Sequence, residues 1–133
     1  MPITFKTDNP KITIAQFIEK TAEDLDLKVL AGKKKLQKKI ITSTRIQKLG
    51  LALAGFAHYI HSGRIQIVGQ SEISYLFQLD SENRINALNH LDLDKISCIL
   101  ITKNLEPPAE LLDIAEERNL PVLVTSKVSS KAI

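Results

Sequence analysis

The sequence predicts an α/β domain in which helices flank a mixed, partly parallel sheet. Its last third indicates this class most clearly, because the apolar run Ile96–Ile101 is followed by a helical pattern and then by the apolar run Pro121–Val124. A strand, a helix and a strand with short joints form a βαβ unit, whose two strands are parallel. The length of 133 residues fits one domain, over residues 1–133.

The first third of the chain predicts one helix and two extended segments. Thr13 and Gln16 have the spacing of a capping box, and apolar residues recur at helical intervals after them, which predicts a helix over about 14–25. A short strand is predicted at Leu27–Leu30. The β-branched residues of Ile40–Thr42 indicate a second extended segment.

The middle of the chain predicts a buried segment and a strand. Residues 51–60 are apolar on nearly every side, which favours a buried, helical or partly helical segment. Polar and apolar residues alternate over Arg64–Val68, as in a strand. If its isoleucines face the core, Arg64 and Gln66 reach a second surface.

Three helices are predicted beyond this strand. The first runs from about Ser71, as its cap, to Gln78, and the second follows Ser81. The third begins at Pro107-Pro108, since proline suits the first helical turn. Three residues of the second helix and its end are expected to face the core: Ile85, Leu88 and Leu91.

Cysteine content and apolar run lengths indicate a cytoplasmic protein. The single cysteine, Cys98, lies in a predicted strand and is expected to be buried. No apolar run approaches the roughly 18–20 residues of a membrane span. The first eight residues lack the apolar core of a secretory signal.

Charge is distributed very unevenly along the chain. The net charge is +3, yet the stretch Leu27–Ser71 contains nine Lys and Arg residues and no Asp or Glu. Five lysines cluster within it: Lys33, Lys34, Lys35, Lys38 and Lys39. The cluster is either a solvated loop or a docking surface for an acidic partner or neighbouring domain. Without interleaved aromatic residues, nucleic-acid base recognition is not expected.

Several segments, in this order and spacing, resemble the N-terminal domain of the HPr kinase/phosphorylase family over about Ile12 to Ser126. They are Ala31-Gly32, Gly50–Phe56, Arg64–Gly69, Glu72–Leu76, Ile96–Ile101, Pro107-Pro108 and Leu120–Thr125. The sequence departs from the family pattern at Leu49, where members commonly have proline; a proline would fix the backbone before Gly50, and leucine leaves it freer.

This resemblance implies a fold shared with the N-terminal domains of HPr kinase/phosphorylase and of the Mur ligases. Family members phosphorylate a serine of the phosphocarrier protein HPr with ATP or pyrophosphate and remove it again, in carbon catabolite repression or phosphotransferase-system signalling. Their chemistry, with ATP and Mg, belongs to a C-terminal P-loop kinase domain, and the full-length enzymes are homo-oligomers. By resemblance, we expect this chain to be a regulatory or assembly domain that continues beyond Ile133 into that domain.

No catalytic, cofactor or metal residues are predicted for this chain by itself. The one Gly-Lys pair, Gly32-Lys33, lacks the glycine five residues earlier and the following Ser or Thr of a P-loop. Gly69 precedes a predicted helix, where anions can bind, but Glu72 would repel a phosphate there. His58 and His61 could share a helix face, yet no third zinc ligand lies nearby in sequence.

Three polar residues of the signature are candidates for an interface or ligand contact: Arg64, Gln66 and Glu72. Structural hydrogen bonding is the alternative role for them. Two other function classes also stay open, namely a stand-alone small-ligand or nucleotide-sensing module and a nucleic-acid-binding module.

Overall fold

The computed structural model of the protein describes residues 12–22, 25–41, 46–48, 65–91 and 93–127. The predicted apolar segment 51–60 therefore lies outside the described residues. Within those residues, no helix is long and apolar enough to cross a membrane.

A five-stranded mixed sheet forms the centre of the domain. Its strands are β2 (Lys28–Ala31), β4 (Ile46–Lys48), β5 (Ile65–Val68), β6 (Cys98–Ile101) and β7 (Val122–Val124). They lie side by side in the order β2-β7-β6-β5-β4. Strands β4 to β7 are mutually parallel, and β2 pairs antiparallel with β7 at one edge. Two short strands, β1 (Ile12–Thr13) and β3 (Ile40–Ile41), pair separately. The predicted mixed, partly parallel sheet is confirmed.

Helices cover both faces of this sheet. The described residues contain four of them: α1 (Ile14–Lys20), α2 (Gln70–Gln78), α3 (Ser81–Asn89) and α4 (Ala109–Arg118). Apolar residues of α2, α3 and α4 form one core cluster with one face of β5, β6 and β7, whereas α1 packs with the opposite face. The result is a layered α/β domain with two cores, one on each side of the sheet.

Helix α1 begins where the sequence predicts and ends sooner. The capping box is present, because the Thr13 hydroxyl accepts from the Gln16 N–H at 3.1 Å and the Gln16 amide oxygen accepts from the Thr13 N–H at 2.9 Å. The helix ends at Lys20 instead of about residue 25. At Thr21 the side-chain hydroxyl donates to the Phe17 carbonyl at 2.7 Å, and such local bonds compete with helix continuation.

Strand β5 is buried along its whole length, contrary to its alternating pattern. Ile65 and Ile67 contact the α1 side, and Val68 packs on the other side with α2, α3 and α4. Gln66 is 0% exposed, so the second surface that it was expected to reach is covered within this chain. Strands of parallel sheets are buried on both faces because helices cover each side.

Three residues of α3 and its end were expected to face the core, and two of these three predictions are right. Leu88 and Leu91 are buried, whereas Ile85 is 37% exposed. Ile85 instead lines an open groove between α3 and α4. Helix α4 starts at Ala109 with Pro108 as its N-cap residue, slightly later than the predicted start at Pro107-Pro108. Its C-cap residue is Asn119, whose φ of 55° gives the left-handed conformation of a helix end.

Candidate functional site at the carboxyl ends of the parallel strands

The carboxyl ends of β5, β6 and β7 place three small or hydroxyl-bearing residues side by side. The Thr102 N–H donates to the Val68 carbonyl at 3.2 Å, and the Thr125 N–H donates to the Ile101 carbonyl at 2.9 Å. Gly69, Thr102 and Thr125 therefore occupy matching positions just beyond the three strands. This edge is where ligands bind in open α/β sheets, which makes it the candidate functional site.

Strand alternation turns both threonine side chains toward the α1 side of the sheet. Leu100 and Leu123, two residues before Thr102 and Thr125, belong to the core cluster that includes α1. Residues two apart on a strand share a face. The two hydroxyl groups consequently lie on one face, next to a position at Gly69 that has no side chain.

Thr125 is tied to the chain segment that precedes β2. Its hydroxyl donates to the Asp26 carboxylate at 3.0 Å, and the Ser126 N–H donates to the same oxygen at 3.0 Å. Hydrogen bonds from the Ser126 hydroxyl and N–H, with that of Thr125, hold the pKa of the exposed Asp26 carboxyl well below its ordinary value. The carboxylate thus stays ionised at neutral pH and fastens the end of β7.

Thr102 has the same residue type and register but a different environment. Its side chain is 0% exposed, and its hydroxyl has no hydrogen-bond partner in the described part of the chain. A buried hydroxyl without a partner is costly, and most such groups in folded proteins are satisfied. This unsatisfied group is the feature of the site that structural packing does not explain.

The loop after β6 closes over the end of β7. Lys103 and Asn104 both have positive φ, at 58° and 51°. The Lys103 N–H donates to the Lys127 carbonyl and the Asn104 N–H to the Thr125 carbonyl, each at 2.8 Å. Left-handed backbone is common for asparagine and uncommon for lysine. Of these two residues, only Asn104 is therefore of a type that would predict this loop conformation from the sequence.

Two of the three residues predicted as site candidates, Gln66 and Glu72, are described by the structure, and they lie at different distances from this edge. Gln66 lies three residues before Gly69, about 10 Å back from the edge at the strand rise of about 3.3 Å per residue. Glu72 is near the edge, and its carboxylate accepts from the Gly69 N–H at 2.7 Å. Arg64 lies outside the described residues. A subunit or ligand contact by any of the three stays a prediction.

Gly69, not Ser71, is the N-cap residue of α2. The helix starts at Gln70, so Glu72 is its third residue. Its carboxylate accepts from the Gly69 N–H, which is the one bond of a capping box that needs no side chain at the N-cap. The predicted cap at Ser71 is wrong. The prediction that Glu72 lies in the first helical turn is confirmed.

No metal or nucleophile site is found among the described residues. They contain no group of three or more His, Cys, Asp or Glu side chains placed so that it could hold a metal ion, and His58 and His61 lie outside them. Cys98 is fully buried, as predicted, and burial raises the pKa of its thiol to about 12 although Lys39 opposes the shift. A thiol of this kind is inert at neutral pH.

Comparison with known proteins identifies the family. A family model described as HPr Serine kinase N terminus matches residues 12–133. The chain belongs to this family. The resemblance of the sequence segments is thereby confirmed over nearly the whole chain.

Relatives within the family are longer proteins named HPr kinase/phosphorylase. The protein from Geobacter sulfurreducens is 38% identical over 92% of this chain and 38% of its own length. That from Latilactobacillus sakei is 37% identical over 80% of this chain and 34% of its own length. The chain therefore spans about a third of the length of the curated relatives that it matches.

A similar fold occurs in a solved structure from Clostridium perfringens. The chain aligns over 98% of its length, at a TM-score of 0.59 and 17% identity, with half of a chain from Clostridium perfringens. That structure contains the CBS and DRTGG domains of the regulatory region of a pyrophosphatase, complexed with the activator diadenosine tetraphosphate. At this identity the likeness concerns the fold alone.

Proposed function

We propose that this chain is an accessory domain of an HPr serine kinase/phosphorylase, acting in regulation or assembly while another domain transfers the phosphate. Its membership of the N-terminal family, across residues 12–133, is the observation that carries this proposal. The lack of a complete P-loop around Gly32-Lys33 in the sequence agrees with it.

The partners follow from the same family. We propose that the full-length enzyme takes the serine of HPr as its substrate, uses ATP or pyrophosphate with Mg in its kinase domain, and works as a homo-oligomer in the bacterial cytoplasm. Its signalling role would be in carbon catabolite repression or the phosphotransferase system. This domain would contribute to that activity through contacts with the kinase domain or with other subunits.

A domain exchange tests this role directly. Residues 12–133 would replace the matching N-terminal third of the Geobacter sulfurreducens relative, with an unrelated α/β domain of similar length as the control. We expect the exchange to restore the native mass of the assembly and HPr phosphorylation relative to a variant that lacks its N-terminal third. A chimera no better than the unrelated-domain control would count against the proposal.

A second candidate function is the binding of a small ligand or nucleotide, and Thr102 favours it. Its buried, unsatisfied hydroxyl lies at the sheet edge where ligands bind in this fold class. A ligand that reorganises this edge could supply the missing hydrogen bond. The site would then report ligand concentration to the rest of the enzyme.

Thermal-shift measurements test the ligand hypothesis with ATP, pyrophosphate, UDP-sugars and sugar phosphates. A ligand at a hundredfold excess over its dissociation constant stabilises the folded state by about 2.7 kcal/mol. Thr102→Val should weaken the response to a true ligand, whereas Glu82→Ala at an exposed position of α3 should not. If none of these compounds shifts the melting temperature, ligand binding is removed as a candidate function for them.

A further inference from the structure

A basic surface lies on the turn that joins β2 to β3. It is here called the lysine turn and consists of Lys33, Lys34, Lys35 and Lys38. Lys33–Lys35 form a single 3-10 turn, and Lys33, Lys34 and Lys38 are exposed. None of the four lysines forms an ion pair with a carboxylate among the described residues. Their charges are consequently available to a partner molecule.

The backbone of the lysine turn is held at both ends. At its start, the Gly32 N–H donates to the Glu116 carboxylate of α4 at 2.5 Å, and a Cβ at Gly32 would overlap the Leu120 carbonyl. At its end, the Lys39 ammonium group donates to the Ile96 carbonyl at 3.0 Å. Because Glu116 offsets only one of the positive charges, the surface of the turn stays strongly basic.

Helix α1 fixes the middle of the lysine turn. The Ala15 N–H donates to the Leu36 carbonyl at 2.7 Å, and the Ile14 N–H donates to the Lys39 carbonyl at 3.1 Å. The Leu36 side chain packs against the core on the α1 side of the sheet. A partner that binds this turn therefore does not have to order its backbone, which lowers the entropic cost of binding.

The dimensions of the lysine turn fit a short extended peptide. Residues 33–38 rise by about 2 Å each along a 3-10 path and span about 10 Å. An extended peptide rises by about 3.3 Å per residue, so about four of its residues cover this span. Two exposed apolar residues, Leu30 and Ile40, flank the turn in the chain. A peptide that combines acidic with apolar side chains can contact both kinds of group.

A nucleic acid fits this surface less well. Residues 28–41 contain no aromatic side chain on which a base could stack. A single DNA-binding module buries roughly 600–1,000 Å² of surface, which is more than one turn about 10 Å long provides. A phosphate backbone also has no apolar group for Leu30 and Ile40. The observations therefore favour an acidic polypeptide as the partner.

We infer that the lysine turn binds an acidic, partly apolar segment of a partner polypeptide. The carboxylates of that segment pair with the exposed lysines, and its apolar side chains pack on Leu30 and Ile40. This contact goes beyond the accessory role proposed above, and it is tested on this chain alone, so its failure leaves that role to the domain exchange. Because exposed ion pairs are individually weak and are screened by salt, the affinity falls as the ionic strength rises.

Fluorescence anisotropy tests the inference with a labelled copolymer of glutamate and tyrosine as the probe. The unmodified chain should bind the copolymer at about 0.05 M salt, where charges are screened only over distances above about 10 Å. The triple variant Lys33→Gln, Lys34→Gln and Lys38→Gln should bind about tenfold more weakly, because three exposed ion pairs are lost. Leu30→Thr combined with Ile40→Thr should weaken binding of the copolymer and leave binding of polyglutamate unchanged.

A matched control removes the same charge elsewhere on the surface. Lys20→Gln, Lys103→Gln and Lys127→Gln together alter three exposed lysines outside the turn. This variant should stay within about twofold of the unmodified affinity, since it removes no ion pair with the probe, and all variants should keep their circular dichroism.

The inference is overturned if the unmodified chain does not bind the copolymer. It is also overturned if both triple variants lose affinity equally, because net charge alone would then explain the binding. Duplex DNA or inorganic polyphosphate that binds the turn at least as tightly as the copolymer, at equal concentrations of negative charge, would overturn it as well and would assign the turn to phosphate-rich polymers.

Discussion

Thr102 and Thr125 allow a paired experiment, because valine has nearly the same shape as threonine. The two substitutions should change the stability of the chain in opposite directions. Thr102 is fully buried and its hydroxyl has no partner in the described part of the chain. A buried unsatisfied polar group costs about 1–3 kcal/mol, so Thr102→Val should stabilise the ligand-free chain by about 1–2 kcal/mol. Thr125→Val removes the hydroxyl that donates to the exposed Asp26 carboxylate and accepts from the Lys127 N–H, and it should destabilise the chain by about 0.5–1.5 kcal/mol.

Thermal unfolding followed by circular dichroism measures both changes. For a chain of this length, 1 kcal/mol corresponds to about 3–5 °C in melting temperature, so the two variants should melt on opposite sides of the unmodified protein. Asp26→Asn serves as the control, since it weakens the same bond from the other partner and should resemble Thr125→Val. If Thr102→Val is as destabilising as Thr125→Val, the Thr102 hydroxyl has a partner and the reasoning about this edge fails.

Three other residues give expectations for stability and reactivity. Gly32→Ala should destabilise the chain by at least about 2 kcal/mol, because the residue has a φ of 74° and a Cβ would overlap the Leu120 carbonyl. An unchanged urea midpoint of unfolding would contradict this. The pKa of Glu110 is lowered to about 2, below the ordinary value of about 4.3, because its carboxylate accepts hydrogen bonds from the Ser81 hydroxyl, from the N–H of Glu110 itself and from Arg84. Its stabilisation is therefore present above about pH 5 and lost as the pH falls toward 2, and Glu110→Gln should flatten that part of the stability profile. Cys98 should react with a thiol reagent only at the rate of unfolding, and fast labelling of the native chain would refute its burial.

Features that depend on neighbouring residues in the chain are predictable from the sequence. The capping box of Thr13 and Gln16 forms as its spacing predicts, and the apolar run around Cys98 forms a buried strand. The βαβ unit at the end of the chain also follows from local patterns. Each of these depends on contacts within a few residues or on a pattern that only one element fits.

Features that depend on packing across the sheet are not predictable in this way. The pattern around Gln66 alternates as if one face were open to solvent, yet helices cover both faces and bury it. Ile85 has helical spacing for the core but lies in the groove between two neighbouring helices. At α2 the cap shifts to Gly69, because the Glu72 carboxylate reaches back to the Gly69 N–H.

The candidate site could not be predicted from the sequence, because its residues are brought together by the packing of distant strands. Gly69, Thr102 and Thr125 are separated by more than twenty residues each, and they become neighbours only through the parallel register of β5, β6 and β7. Hydroxyl residues after strands are common, so their types carry no signal by themselves. The unsatisfied state of Thr102 is a property of the packed structure.

The central claim is that this domain assists a phosphotransfer reaction that it does not perform. The most direct measurement incubates the purified chain with HPr and either ATP or pyrophosphate, then measures phosphoserine on HPr, with the full-length Geobacter sulfurreducens relative as the positive control. The account predicts phosphoserine with the relative and none above background with this chain. Phosphoserine formed by this chain without a kinase domain would contradict it.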